Sequence, residues 1–81
     1  MVEELKYVKT TNEEIIIFPL VMQHKTFKHL NLASAGFCKI SEGKVDCYGH
    51  SFSLGLKAFV KEDSLQATQF VFGVTAILEI L

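Results

Sequence analysis

Gly49-His50-Ser51-Phe52-Ser53 places an imidazole and two hydroxyls in one short run, directly after the thiol of Cys47 and the phenol of Tyr48. The spacing invites comparison with the G-x-S-x-G turn that exposes a nucleophilic serine between a strand and a helix. The fifth residue here is serine instead of glycine, and that motif needs a large α/β scaffold to bring a histidine and an acid to the serine. Ser51 is therefore read as a strand hydroxyl, and no residue is assigned a catalytic role. Tyr48, His50, Ser51 and Ser53 together form a polar patch beside aromatic surface, suited to a small ligand.

His24, His29 and His50 with Cys38 and Cys47 are the candidate metal ligands. Their spacing is poor. His24 and His29 would point about 140° apart on a helix, and neither C-x-x-C nor H-x-x-x-H occurs. No metal and no cofactor is expected. His24, Lys25, Lys28 and His29 form the one basic cluster, which suits a phosphate, an acidic partner or simply a solvated helix face. Glu13-Glu14 and Glu62-Asp63 read as turn and cap residues, not as an acid–base pair.

These side chains must be held by two hairpins and two helices. Leu5–Thr10 alternates as a strand, Thr11–Glu13 reads as a turn, and Glu14–Phe18 is a β-branched strand, expected in the sheet interior, that stops at Pro19. Gln23–Leu30 predicts a short helix holding Phe27 and Leu30 on one face and ending near Asn31. Ala35–Leu56 predicts a second hairpin. With Glu42-Gly43 as a two-residue loop, Ile40 faces Val45, Lys39 faces Asp46, Cys38 faces Cys47 and Phe37 faces Tyr48, so every pair is chemically sensible.

A three-residue loop with a bulged Gly43 is the competing register, and it would separate the cysteines. In the first register the two thiols either pack as small hydrophobes or form a cross-strand disulfide under oxidising conditions. The Phe37–Tyr48 face continues through His50, Phe52, Leu54 and Leu56 and reads as the more apolar one, unless Gly49 bulges and swaps the faces. Asp63 and Gln66 fit a capping box that opens a helix with Leu65, Phe70 and Val71 near one face, ended at Gly73. Val74–Leu81 leans to a final strand, with a helix as the alternative. The order ββαββα, with that last strand open, defines an α+β class in which two helices pack on a mainly antiparallel sheet.

Composition bounds what such a domain does. Its 81 residues suit one domain spanning the whole chain; 49% of them are hydrophobic and 21% charged. The excess apolar surface lies in Ile15–Phe18, in the Phe37/Tyr48 face and from Phe70 onward. Phe37, Tyr48, Phe52, Leu54, Phe70 and Phe72 are the candidate interface residues, and a homodimer is the simplest cover for them. All eight basic residues are lysines and the net charge is −1. Without the arginine fork, nucleic-acid readout is not expected. No stretch approaches the roughly 20 apolar residues that span a bilayer, and the start has no signal-peptide pattern, so a cytoplasmic setting with reduced thiols is expected and no membrane partner.

Ser34-Ala35-Gly36-Phe37, then Cys47-Tyr48-Gly49-His50-Ser51-Phe52-Ser53-Leu54-Gly55-Leu56-Lys57 and Glu62-Asp63, resemble a group of short uncharacterised bacterial and phage proteins, as does the Ile15–Pro19 segment. The resemblance covers half to two-thirds of the chain and implies no activity, cofactor or binding residue. His50 stands where the group often has an acid, and Ala58 where serine is usual. Three functions stay open: a non-enzymatic interaction module acting as a homodimer, a ligand-binding or catalytic protein using the Tyr48/His50/Ser51/Ser53 patch, and a phage or host regulatory factor gripping an acidic partner through the first helix.

Overall fold

A computed structural model describes residues 3–80, with side-chain surroundings through Gly73. The chain is α+β. Its strands are β1 (Glu3–Thr10), β2 (Ile15–Phe18), β3 (Leu32–Ser41), β4 (Lys44–Tyr48), β5 (His50–Ser51) and β6 (Leu56–Lys57), followed by the helix α1 (Val60–Ile80). β1 to β4 form an antiparallel sheet in the order β2-β1-β3-β4, and β5-β6 form a separate two-stranded hairpin. Among the described residues no helix is long and apolar enough to cross a membrane.

The β3–β4 hairpin has the pairing expected from its residues. Phe37 faces Tyr48, Cys38 faces Cys47, Lys39 faces Asp46 and Ile40 faces Val45. Gly43 takes φ +74 in the two-residue loop, a backbone conformation that glycine adopts without steric cost.

Two helices were expected, and among the described residues only one α-helix forms. Gln23–Leu30 makes a single 3-10 turn, His24–Phe27, whose cap residue Gln23 supplies no side-chain hydrogen bond. The reason is competition for residues. β3 already begins at Leu32, and the Asn31 carbonyl accepts the Thr11 N–H at 2.8 Å. Too few residues remain to repay helix nucleation. The turn is anchored instead by Phe27 and by buried His24, so His24 leaves the expected basic face.

The Ile15–Phe18 strand is not interior but an edge, because the ten-residue β3 pairs with β1 along Glu3–Thr10. Its side chains are nevertheless apolar on both faces, because both faces of the sheet are covered. On one face Tyr7, Ile15, Cys38, Val45 and Cys47 pack with Ala67 of α1. On the other Val8, Phe18 and Ala35 pack with Phe27, Leu54 and Leu56. The Phe37/Tyr48 face is therefore not the larger core. α1 lies on the cysteine face, and Phe37 and Tyr48 are left half-buried.

α1 departs from expectation at both ends. It opens at Val60, one turn before the expected cap, and Asp63 sits inside its first turn, accepting the Phe59 N–H at 3.0 Å. Gln66 reaches the Glu13 carbonyl instead of closing a capping box. The buried face is Asp63, Ala67 and Thr68, while Leu65 and Phe70 are 58% and 63% exposed. Small and hydroxyl side chains win this face because α1 lies close along β4: Val45 N–H donates to Thr68 Oγ1 at 2.9 Å and Cys47 N–H to Ser64 Oγ at 2.8 Å. Gly73 (φ +79) interrupts the helix where its end was expected, but the backbone is helical again to Ile80, so the strand expected over Val74–Leu81 is not formed through Ile80; Leu81 lies outside the described residues.

Candidate functional site

The polar patch singled out from its residue types is assembled by two glycines. Gly36 lies so close under the end of β4 that a Cβ there would stand 2.5 Å from the Tyr48 carbonyl oxygen. Gly49 (φ +76) then turns the chain out of β4 into the β5–β6 hairpin, which folds back over β3 and is tied down by Ala58 N–H to the Gly49 carbonyl at 2.9 Å. Leu54 and Leu56 go inward to Val8, Phe18 and Ala35. The packing of these two leucines leaves Phe52 at the hairpin tip, 89% exposed.

Phe52 stands between two open concavities. One, of about 430 Å³, is lined by all four residues of the patch, Tyr48, His50, Ser51 and Ser53, together with Lys6, His24, Phe37, Gly49 and Phe52. The other, of about 480 Å³, shares His50, Ser51 and Phe52 and is walled by Ala33, Leu56, Lys57 and Phe59. The His50 ring meets Phe52 edge-on at 4.2 Å between centroids, and Phe37 lies stacked against Tyr48 at 6.0 Å. Lys39 Nζ sits 5.3 Å from the Tyr48 ring centre, and the Tyr48 hydroxyl donates to Glu4. Lys6 Nζ donates to the Met22 carbonyl at 2.8 Å.

Of the six candidate interface residues, Phe37, Tyr48 and Phe52 thus fall in the same concavity as the ligand patch. Leu54 packs into the core, Phe72 packs against the cysteine face, and Phe70 is exposed on α1, apart from them. Half of the interface set thus shares one surface with the polar patch, and the other half does not.

The floor of the site is a histidine that sequence reasoning placed elsewhere. His24 is buried, donates from Nε2 to the Gly36 carbonyl at 2.7 Å, and packs edge-on against Phe37 and Phe18. Burial pushes its pKa below the ordinary histidine value, the Gly36 carbonyl partly opposes this, and nearby Lys6 adds to it. It is thus a neutral, fixed donor.

Ser51 Oγ has Ser53 Oγ as its partner at 3.3 Å, and among the described residues no histidine or carboxylate hydrogen-bonds either serine. The arrangement offers ring faces, hydroxyls and an exposed imidazole, which is equipment for binding. His24 and His50 lie on the opposite face of the sheet from Cys38 and Cys47, and no group of three metal-ligating side chains converges among the described residues. Both thiols are free and buried, and burial pushes their pKa values up to about 11 for Cys38 and about 12 for Cys47, where the neighbouring Cys38 adds to the effect.

A second polar cluster was missed altogether. Tyr7, Lys9 and Asp63 are buried together: the Tyr7 hydroxyl donates to Asp63, Lys9 Nζ lies 2.7 Å from Asp63 Oδ1, and the Ser34 hydroxyl is buried nearby without a hydrogen-bond partner among the described residues. Burial alone would raise the Asp63 pKa, but Lys9, Tyr7 and the Phe59 N–H together hold it below the ordinary carboxylate value. Burial, then Asp63, pushes the Tyr7 phenol far upward. With Asp63 fully buried and Lys9 nearly so, the cluster ties β1 to α1 as a structural element. Its one trace in sequence is Tyr7-x-Lys9, which puts both side chains on one face of β1. Comparison of the chain with protein-family models, with curated proteins and with solved structures found no match.

Proposed function

We propose that the protein is a non-enzymatic recognition module that takes a ring-bearing, acidic ligand against the β5–β6 hairpin. The observation that carries this reading is Phe52, 89% exposed between two aromatic-walled concavities that share it with His50 and Ser51. An apolar side chain presented to solvent by a hairpin whose other leucines are committed to the core is a contact residue in waiting. Lys6 and Lys57 at the two concavities supply the positive charge that selects an acid group, and His50 and the two hydroxyls supply directed hydrogen bonds. A cytoplasmic, reducing setting belongs to the same reading, in which Cys38 and Cys47 remain thiols.

The test uses an aromatic carboxylate, 2-naphthoate, titrated to roughly millimolar concentration against the ¹⁵N-labelled protein, as small fragments bind weakly. Amide shifts confined to residues 48–57 and Lys6, lost in Phe52→Ala, are expected. No shifts there, or unchanged shifts in Phe52→Ala, would overturn the reading. Self-association is a second reading, favoured by the 91% exposure of Val21 and the exposed Phe70 and Leu65 as well as Phe52.

A further inference from the structure

The two edges of the four-stranded sheet are finished differently. Along β4, antiparallel alternation turns the backbone groups of Val45 and Cys47 away from β3, and their N–H groups are taken by Thr68 and Ser64 of α1. That edge is closed. Along β2, Thr10 N–H donates to the Glu14 carbonyl at 2.9 Å, which makes Lys9–Ile15 and Tyr7–Ile17 the narrow, non-hydrogen-bonded pairs. Ile16 and Phe18 therefore bond to β1, and the N–H and C=O groups of Ile15 and Ile17 point outward. Among the described residues no hydrogen bond reaches them.

Natural edges are blunted by charges, prolines or bulges. β2 is short, four residues held between Glu14 and Pro19, but within Ile15–Phe18 it carries no charge, proline or bulge, and its register against β1 is unbroken. We infer that β2 is the interface between two copies of this chain, joined antiparallel about a two-fold axis at Ile16 into one continuous eight-stranded sheet.

The register follows from the outward groups. Setting Ile15 opposite the partner's Ile17, and Ile17 opposite the partner's Ile15, lets each pair exchange two hydrogen bonds and places Ile16 against its own copy in the close, non-hydrogen-bonded position. Sliding so that Ile15 faces Ile15 brings Ile17 opposite Glu13, whose φ of 64 is not strand geometry and whose N–H is already donated to Thr10. Sliding the other way brings Ile15 opposite Pro19, which has no N–H. Only the Ile16-centred register uses all four outward groups of both strands.

A second copy is a better occupant than a foreign strand for two reasons. The strand is its own complement: Ile meets Ile on both faces, and Glu14 falls opposite Phe18, so no carboxylates face each other. A two-fold pair also leaves neither β2 edge open, whereas a foreign strand would present its own outer edge to solvent.

The test is sedimentation of the full chain at roughly 0.1 mM, with hydrogen exchange on the same sample. The expected result is a species of twice the 9.1 kDa chain mass in which the Ile15 and Ile17 amides are protected. Ile17→Pro removes an outward donor without removing a β1 bond, and it should sediment as a folded monomer. Ile16→Lys and Ile16→Glu should each be monomeric and recover the dimer when mixed, because the two charges meet on the axis. A wild-type monomer at that concentration, or a dimer whose Ile15 and Ile17 amides exchange freely, overturns the proposal. So does a dimer that survives Ile17→Pro. If that variant is unfolded, the wild-type amide protection decides.

Discussion

The Tyr7 hydroxyl donates to the Asp63 carboxylate across 56 positions of sequence, joining the central strand to the first turn of the helix. Asp63 also accepts the Phe59 N–H and holds Lys9 Nζ at 2.7 Å, so one carboxylate sets the helix start and its docking onto the sheet. Removing it would leave a lysine charge buried alone. Asp63→Ala is expected to cost about 3–5 kcal/mol in urea unfolding, the loss typical of breaking a buried pair from one side. Lys9→Met in the same background should recover part of it. A loss below about 1 kcal/mol would place Asp63 with exposed ion pairs and refute its role as the tie.

The same group gives an acid dependence of known sign. Because the folded state lowers the Asp63 pKa, its stabilisation is complete above the unfolded carboxylate value of about 3.9 and is lost as pH falls through the lower folded value. His24 acts higher. Its folded pKa is also lowered, so the unfolded chain binds the proton first, and stability declines as pH drops below about 6.5. Unfolding free energy measured from pH 8 to pH 3 should therefore fall in two stages. His24→Gln should flatten the upper stage and leave the lower; an unchanged upper stage would clear His24 of it.

Cys38 and Cys47 should behave as core side chains. With thiol pKa values pushed up to about 11 and about 12, both should react slowly with a disulfide reagent at neutral pH and rapidly once the chain is unfolded. Fast labelling of the native protein would contradict their burial.

Glycine is required at Gly36 for space and at Gly43 for backbone angle. An alanine Cβ at Gly36 would meet the Tyr48 carbonyl oxygen at 2.5 Å, and backbone on both sides must move. Gly36→Ala should cost about 1–3 kcal/mol, as overpacking does, and should also perturb the amides of the β5–β6 hairpin. Gly43→Ala meets nothing within 4 Å and carries only the positive-φ penalty of about 1–2 kcal/mol. Hairpin amides that stay in place in Gly36→Ala would show that the close approach does not position the site.

The patch residues were legible as a group because Tyr48 to Ser53 are neighbours in sequence, and a glycine-hinged strand keeps neighbours together. Of their companions, Phe37 was legible through its hairpin pairing with Tyr48, whereas Lys6 and His24 were not, since each comes from a different element and reaches the site only through the sheet order. Asp63 was misread for the same reason. Its local pattern is that of a cap, and only the distant Tyr7 and Lys9 make it a buried partner.

The helix carries the clearest division. Alternation and turn chemistry alone favoured the β3–β4 register over its three-residue-loop competitor and marked the interruption at Gly73, because both depend on residues close in sequence and on a glycine's freedom at positive φ. The face that α1 buries, the open edge at β2 and the loss of the first helix were decided by tertiary structure. Ser64 and Thr68 face the sheet because β4 needed its outward N–H groups satisfied at close range, a demand set by strand order. Hydrophobic periodicity registers the demand for apolar cover but not the demand for hydrogen-bond partners at a sheet edge, so the face that carries Leu65 and Phe70, grouped by their spacing, is not the one that packs and stands in solvent.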